Sequence, residues 1–137
     1  MQPSFGRLVA TLYRKNQMYI NAKLKCFGIT SGEVGFLMSL YRQEGQTQEE
    51  LASFLSIDKA AATRSLCTLE QKHYIERRHD QYDKRCNRIF LTPESRKMET
   101  EVVTCMHQYS EHIASLLGEQ TYQELCTTLE RINKEQA

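Results

Sequence analysis

The side chains best suited to chemistry in this 137-residue chain are cations, and they are concentrated in its middle. Between residues 59 and 97, ten lysines and arginines face five acidic residues, which gives 10 − 5 = +5, whereas the whole chain carries +1. From residue 98 onwards two basic residues stand against seven acidic ones, which gives 2 − 7 = −5. The central segment is therefore the part of the chain that a polyanion would contact.

The first candidate binding group lies on a predicted helix that follows Asp58, a good N-cap. Ala62, Leu66 and Leu69 recur at i, i+4 and i+7, so they define its buried side. The opposite side and first turn, called here the groove face, consist of Lys59, Ala60, Ala61, Thr63, Arg64 and Thr68. Arginine pairs bidentately with guanine, threonine reaches a base edge or a phosphate, and alanine permits close approach. The pattern favours contact with the DNA major groove over the alternative, an ordinary solvated face.

The second candidate group lies on a predicted β-hairpin. Residues that favour strands, at 74–78 and 86–91, flank a polar stretch at 79–85. The cations of this segment, called here the wing cations, are Arg77, Arg78, Lys84, Arg85 and Arg88. They would meet phosphates or enter a narrow minor groove. Asp80 and Asp83 would pair with Arg85 or a neighbouring arginine and orient it, or would stabilise the turn through their own backbone.

The elements that position these two groups are indicated by capping patterns. Residues 30–33, Thr-Ser-Gly-Glu, form a capping box that opens a second helix, which Gly45 ends. Residues 47–50, Thr-Gln-Glu-Glu, open a short third helix in the same way. Only Ser56 and Ile57 separate that helix from Asp58 and the fourth helix, which extends to about His73. Two helices joined by so short a turn must cross sharply, which is typical of a helix-turn-helix.

The flanking segments are also predicted to be helical. A first helix covers about residues 5–25 and ends at Gly28, while residues 92–94, Thr-Pro-Glu, open a long fifth helix that Gly118 ends. A sixth helix follows nearly to the end of the chain. Apolar residues on these three helices would leave hydrophobic surface uncovered in a monomer, and we expect dimerisation to bury it. The candidate dimerisation residues are Phe5, Leu8, Leu12, Ile113, Leu117, Tyr122, Leu125 and Leu129. A single monomer core is the alternative.

The order of these elements, together with several motifs, resembles the MarR (multiple antibiotic resistance regulator) family. The segments that resemble family motifs are 28–30 with Val34, Leu37 and Leu40, then 47–52, 57–66 and 69–72. Asp80, Asp83 and Arg85, followed by Leu91 and Thr92, match the wing pattern D-x-R-D-x-R and its L-T exit. Tyr82 stands where that pattern has its first arginine, and His73 and Ser95 stand where the family usually has glycine.

The resemblance implies a mainly α fold with a small β-hairpin, namely a winged helix-turn-helix with N- and C-terminal dimerisation helices. We expect one domain over residues 1–137, with the winged lobe at about 30–92 and dimerisation helices at about 1–28 and 93–137. The resemblance also implies a homodimer whose recognition helices read half-sites roughly 10 base pairs apart in a pseudo-palindromic operator. A pocket for a small-molecule effector is expected near Tyr13, Met38 or Tyr41.

Other classes of function find less support. The sequence has no G-x-S-x-G, no H-E-x-x-H and no phosphate-cradling glycine loop, so neither an enzyme nor a cofactor is expected. His107, Glu111, Cys105 and His112 fall at helical spacings, but exposed or interface polar residues are the favoured interpretation, and no metal is expected. There is no readable secretory signal and no apolar run of membrane-spanning length. A cytoplasmic location follows.

The sequence thus predicts a sequence-specific transcription regulator that binds double-stranded DNA, and more specifically a repressor released by a small-molecule effector. The five cysteines are odd in number and never in a C-x-x-C arrangement, which is typical of reduced thiols. One alternative is a thiol-based redox sensor that uses Cys26 or Cys67, because Cys26 lies just beyond the first helix and Cys67 lies beside the groove face, where oxidation would disturb docking. Another alternative is a winged helix that binds protein instead of DNA. Binding that weakens steeply with added salt would distinguish DNA binding from this protein-binding alternative.

Overall fold

A computed structural model of the chain describes residues 2–136. The helices are α1 (Phe5–Lys23), α2 (Ser31–Arg42), α3 (Gln48–Leu55), α4 (Lys59–Gln71), α5 (Pro93–Lys97), α6 (Glu99–Leu117) and α7 (Glu119–Glu135). The strands are β1 (Gln46–Thr47), β2 (Ile75–His79) and β3 (Asn87–Leu91). The chain divides into two compact units, one up to Val103 and one from Thr104 onwards. None of the helices that these residues form is long and apolar enough to cross a membrane.

The core of the first unit is built around one face of α4. Ala62, Leu66 and Leu69 are fully buried, which confirms the buried side predicted from their spacing. Phe36, Leu37 and Leu40 of α2 and Leu51 of α3 are also fully buried. Burying apolar side chains of this size contributes about 1.5–3 kcal/mol each. This packing holds α4 by one side only, and its opposite side remains at the surface.

The capping residues predicted for α2, α3 and α4 are in place. The Thr30 N–H donates to Glu33 Oε1 at 2.9 Å, as one half of the capping box of α2. The Thr47 hydroxyl accepts from the Glu50 N–H at 3.1 Å, so the threonine half of the second predicted box forms. The Asp58 carboxylate accepts from the Ala61 N–H at 2.8 Å. Each bond satisfies a backbone donor that a helix N-terminus leaves unpaired.

The predicted hairpin is confirmed, and it belongs to a sheet of three antiparallel strands in the order β1-β3-β2. Ile75 pairs with Leu91 and His79 with Asn87 along the β2–β3 ladder. The strand β1, which pairs Gln46 with Ile89, was not predicted. Two residues are too few to show the alternation of side chains that identifies a strand.

The long fifth helix predicted from residue 92 to Gly118 is wrong in one respect, because the chain breaks it at Met98. Met98 has φ −97° and ψ 4°, and its N–H bonds to the Arg96 carbonyl instead of continuing an α-helical ladder. The Met98 side chain is buried, so the apolar spacing of the segment continues across the break. Periodicity alone therefore could not show that α5 and α6 are separate helices.

Two of the departures from the family pattern have a clear local structure. His73 takes the left-handed backbone, with φ +63°, directly after α4. Its carbonyl accepts from the Thr92 hydroxyl at 2.7 Å. Ser95 is fully buried, and its hydroxyl accepts from the Thr92 N–H at 3.1 Å, which completes a capping box at the start of α5. The Ser95 hydroxyl is thus satisfied by hydrogen bonds in its buried position, whereas the His73 backbone is strained.

Replacing His73 with glycine should stabilise the protein. A left-handed residue with a Cβ costs roughly 1–2 kcal/mol, whereas glycine adopts this conformation freely but loses more entropy on folding. We expect His73→Gly to raise the free energy of unfolding by up to about 1 kcal/mol in urea titrations followed by circular dichroism. The matched control is His79→Gly, which places glycine in β2 and should lower stability. A loss of stability in His73→Gly would contradict the strain assigned to this turn.

Candidate nucleic-acid interface

The helices α3 and α4 are joined by a tight turn at residues 56–58. Ser56 takes the left-handed backbone, with φ 55°, and the Ile57 N–H bonds to the Ala52 carbonyl at 2.9 Å. The Gln48 side-chain amide also donates to the Thr63 hydroxyl at 2.7 Å, which ties the start of α3 to α4. These contacts fix the sharp crossing that a helix-turn-helix requires.

The groove face of α4 is at the surface, but its residues are not equally free. Lys59, Ala60 and Arg64 are exposed, and within the described residues neither of the two cations forms an ion pair. Thr63 is exposed, yet its hydroxyl donates to the Lys59 carbonyl at 2.8 Å while accepting from Gln48. Ala61 is half-buried. Lys59 and Arg64 are therefore the members with unengaged side chains.

Thr68 differs from the rest of the groove face. Its hydroxyl donates to the Glu33 carboxylate of α2, and it also lies 2.9 Å from the Ser65 carbonyl. Both acceptors belong to the protein itself. A role for Thr68 in contacting DNA stays a prediction, and the contact that the structure provides is with α2.

Four of the five wing cations lie beside an acidic side chain in the described residues. Arg77 Nε is 3.4 Å from Glu70 Oε1, and Arg78 pairs with Glu76 while its guanidinium stacks over the Phe90 ring at 4.2 Å from the centroid. Arg85 Nε lies 3.4 Å from Asp83 Oδ1, although the Arg85 side chain is 94% exposed. The Lys84 side chain is also exposed. The pairs of Arg78 and Arg85 are exposed and such pairs are weak, so these two cations and Lys84 remain free to pair with another anion.

Arg88, the last of the wing cations along the chain, is held more firmly by Asp80. Arg88 Nε donates to Asp80 Oδ1 at 2.6 Å, and Arg88 Nη1 donates to the Gly45 carbonyl at 2.9 Å. The other Asp80 oxygen accepts from the Tyr82 and Asp83 N–H groups at 3.2 and 3.1 Å. The hydrogen bond from Arg88 holds the pKa of Asp80 below its ordinary value. One carboxylate thus organises the hairpin tip and joins it to the turn before β1.

Tyr82 lies at the tip of the hairpin with 90% of its side chain exposed. A phenol here offers a hydrogen bond and a ring face, where the family pattern has a cation. The contact with the minor groove that the family pattern implies here is expected to be missing or to be replaced by Arg78 or Lys84, and this stays a prediction.

Sequence reasoning missed the part that Gln48 plays. With Glu49, it lines a cleft between the start of α3 and the wing, whose other walls include Arg77, Arg85 and Asn87. Its position at the start of the third helix was visible in the sequence, but its partner Thr63 is 15 residues away. No local pattern signals that pairing.

The residues considered for sensing have varied surroundings. Cys26 and Cys67 are exposed, and Cys67 Sγ accepts from the Gln71 amide at 3.7 Å. The Tyr41 hydroxyl donates to the Ser95 carbonyl at 2.9 Å, and burial raises the pKa of Tyr41 to about 12. Tyr13 is exposed and Met38 half-buried. Roles for these residues in redox sensing or effector binding stay predictions.

The residues weighed as metal ligands in the sequence, at positions 105–112, lie on α6. Across the part of the chain that the structure describes, no three histidine, cysteine or acidic side chains converge as ligands. His107 and His112 lie on the second unit together with Cys105 and Glu111.

A sharp helix pair with an exposed second helix, followed by a basic hairpin in a three-stranded sheet, defines a winged helix-turn-helix DNA-binding fold. Residues 29–87 match the sequence profile of the MarR family. A MarR transcriptional regulator from Methanosarcina mazei Go1 is 34% identical, with a TM-score of 0.86, over 95% of this chain and 94% of its own. The chain therefore belongs to the MarR family of transcription regulators, as the sequence motifs predicted.

Two further proteins are similar along most of the chain. The HTH-type transcriptional regulator BilQ from Clostridium symbiosum is 29% identical over 125 residues, which cover 90% of this chain and 87% of BilQ. The S. aureus MepR–DNA complex contains a chain that is 24% identical, with a TM-score of 0.88, over 98% of this chain and 99% of its own. The chain thus shares its fold with the MepR chain along nearly the whole length of both.

Replacing Asp80 with asparagine tests how the wing is organised. Asparagine can still accept the two backbone N–H groups, but it loses the charge-assisted bond to Arg88. We expect Asp80→Asn to weaken DNA binding severalfold in fluorescence anisotropy titrations, although it removes a negative charge from the wing. The control Glu94→Gln makes the same charge change at an exposed position outside the wing. Tighter binding by Asp80→Asn than by the control would show that net charge outweighs orientation.

Proposed function

We propose that this chain is a sequence-specific repressor that binds double-stranded DNA as a homodimer and is released by a small-molecule effector. The observation that carries the DNA-binding part is the exposed, unpaired Arg64 and Lys59 on the groove face of α4, next to a hairpin with five cations. A solvated helix face would not need a sharp turn before it and a basic hairpin after it.

The two groups of cations would do different work. Arg64 is suited to a bidentate contact with guanine O6 and N7, and the small Ala60 beside it permits close approach of the α4 backbone to the bases. The wing cations would contact phosphates, which fix the position of the protein but carry no sequence information. Arg88, which Asp80 holds, would keep the wing in place for these contacts.

Dimerisation is supported by apolar side chains that are exposed on helices of both units. Phe5, Leu8 and Leu12 of α1 are about half exposed, and Leu117, Leu125 and Leu129 of α6 and α7 are exposed by about 40%. Apolar residues so spaced on a helix mark an interaction face. A symmetric dimer would cover them and would present two copies of α4 to half-sites about one helical turn, or 10 base pairs, apart.

Release by an effector would follow from the same dimer. A ligand that binds better to one dimer arrangement than to another shifts the population towards that arrangement. Because the spacing of the two α4 helices must match the DNA, a change of spacing lowers operator affinity. A dimer that covers its operator within a promoter would exclude polymerase, which is the basis for proposing repression.

The experiment that tests the proposal is selection of bound fragments from the genome of the source organism, followed by titration of the recovered sequence. We expect one pseudo-palindromic operator and affinity that falls steeply with salt, with a slope of about −0.9 per phosphate contacted in a log–log plot. Recovery of unrelated fragments at equal affinity would argue against sequence-specific binding. Absence of DNA binding at low salt would favour a protein-interaction module.

The two groups of cations can be separated by substitution. We expect Arg64→Ala to lose about 1–3 kcal/mol of discrimination between the operator and single-base variants. Arg85→Ala should weaken binding to all sequences alike and reduce the salt slope by about 1. Arg131→Ala, which removes an exposed arginine of α7, serves as control. Equal operator titrations for wild type, Arg64→Ala and Arg85→Ala would overturn the assignment.

Dimerisation can be tested on α7. We expect size-exclusion chromatography with multi-angle light scattering to give the wild type twice the 16.0 kDa mass of one chain. Leu125→Glu places a charge among apolar side chains of the interface, so it should shift the equilibrium to monomer and weaken operator binding. Thr127→Glu adds the same charge on another side of α7, at an exposed position, and should remain dimeric. A dimeric Leu125→Glu variant would remove α7 from the interface.

A further inference from the structure

Glu33 is the one acidic side chain that is buried in the described part of the chain, with 3% of it exposed. It lies in the first turn of α2, and none of the sequence motifs gave it a role beyond capping that helix. Both of its carboxylate oxygens are 2.7 Å from Lys72 Nζ. The carboxylate also accepts from the Thr30 N–H and from the Thr68 hydroxyl. Capping needs only one of these four bonds.

The charge state of Glu33 follows from these contacts. Burial alone would raise its pKa, but the hydrogen bonds from Lys72, Thr68 and Thr30 outweigh burial and hold the pKa of Glu33 below its ordinary value. Glu33 is therefore ionised at neutral pH. An ionised carboxylate in the interior is tolerated only while its partner remains in place. Lys72 is thus required at this position and is not an incidental surface cation.

Lys72 connects Glu33 to two further parts of the fold. It is the residue at the C-terminal end of α4, and its Nζ also donates to the Gly28 carbonyl at 2.6 Å. Gly28, with φ +67°, forms the turn after α1. Two neighbouring bonds join the same elements, from Tyr74 Oη to the Phe27 carbonyl and from the Ser31 N–H to Asn21 of α1. The end of α1, the start of α2 and the end of α4 therefore meet around one ion pair.

The position of this junction matters because a small rotation at one end of α4 displaces the residues at its other end. Lys72 lies 13 residues from Lys59, a distance of roughly 20 Å along a helix. A rotation of α4 by a few degrees about its C-terminal end would move the groove-facing residues by about 1 Å or more. Bidentate contacts with base edges depend on placement to within about 0.5 Å. Contacts with phosphates are less demanding, since they depend mainly on charge.

We infer that Glu33 and Lys72 are positioning residues for DNA reading. They hold the C-terminal end of α4 against the start of α2 and the turn after α1, so that the groove face meets the bases in one orientation. This inference rests on the proposed DNA-binding function. It assigns selectivity for the operator to two residues that lie at the opposite end of α4 from Lys59 and need no contact with DNA. The bond from Lys72 to the Gly28 carbonyl also connects the turn after α1 directly to α4.

The test compares the affinity for the selected operator with the affinity for a scrambled duplex of the same length. We expect Glu33→Gln and Lys72→Met each to reduce the operator-to-scrambled affinity ratio about tenfold or more. Binding to the scrambled duplex, and its salt slope, should stay as in the wild type. If Lys72 contacted a phosphate instead, Lys72→Met would weaken both duplexes alike and reduce the salt slope by about 1, and the inference would be wrong.

Conservative and combined variants separate positioning from loss of folding. Lys72→Arg keeps a cation that can pair with Glu33 and should restore most of the selectivity. The double variant Glu33→Gln/Lys72→Met buries no charge, so it can be measured even if Lys72→Met does not fold. Its selectivity should match that of Glu33→Gln alone, because residues that act as one unit are not additive. Full operator selectivity in the folded double variant would overturn the inference.

The controls are Glu99→Gln and Lys97→Met, which make the same chemical changes at two positions less buried than Glu33. Both should retain the wild-type affinity ratio. Circular dichroism melts establish that each variant is folded at the temperature of titration. Equal affinity of the wild-type protein for the operator and the scrambled duplex would instead refute the proposed function itself. That result is obtained before any variant is made.

Discussion

The rest of the structure depends on the way α4 is held by one face. Ala62, Leu66 and Leu69 pack into the core, and this burial leaves the opposite face at the surface. Apolar packing is not directional, so it fixes the depth of the helix better than its angle. Hydrogen bonds at the two ends supply the missing direction, from Gln48 to Thr63 near the start and from Lys72 to Glu33 at the end. The proposed reading of DNA bases by α4 would require both kinds of restraint.

The wing, too, is held in place by contacts from outside its two strands. A hairpin of two strands is marginally stable by itself, and β1 adds a third strand on the β3 side. Arg88 extends this anchoring, because it joins Asp80 at the hairpin tip to the Gly45 carbonyl before β1. Acidic residues beside arginines lower the net charge of the wing. The Asp80–Arg88 bond orders one of these guanidinium groups in the absence of DNA, and under the proposed function this order would reduce the entropy lost on binding.

Much of the fold could be predicted because its signals are local. The caps at Thr30, Thr47 and Asp58 act over three residues, and the apolar spacing on α4 is that of an ordinary amphipathic helix. The break at Met98 could not be predicted, since a buried methionine fits a continuous helix as well as a broken one. The strand β1 was missed because its evidence lies in its partner β3, more than 40 residues away.

By itself, the sequence determined the main helices, the hairpin, the family and the positions of the cations along the chain, because helix periodicity, capping and local charge are properties of neighbouring residues. Only the tertiary structure decided which of those cations are engaged. It placed Arg88 against Asp80 and Gly45, turned the Thr68 hydroxyl towards Glu33, and left Arg64 unpaired. The Glu33–Lys72 pair spans 39 residues. The sequence around a charged residue does not indicate its partner when folding brings that partner from a distant segment, so this pair became visible only in three dimensions.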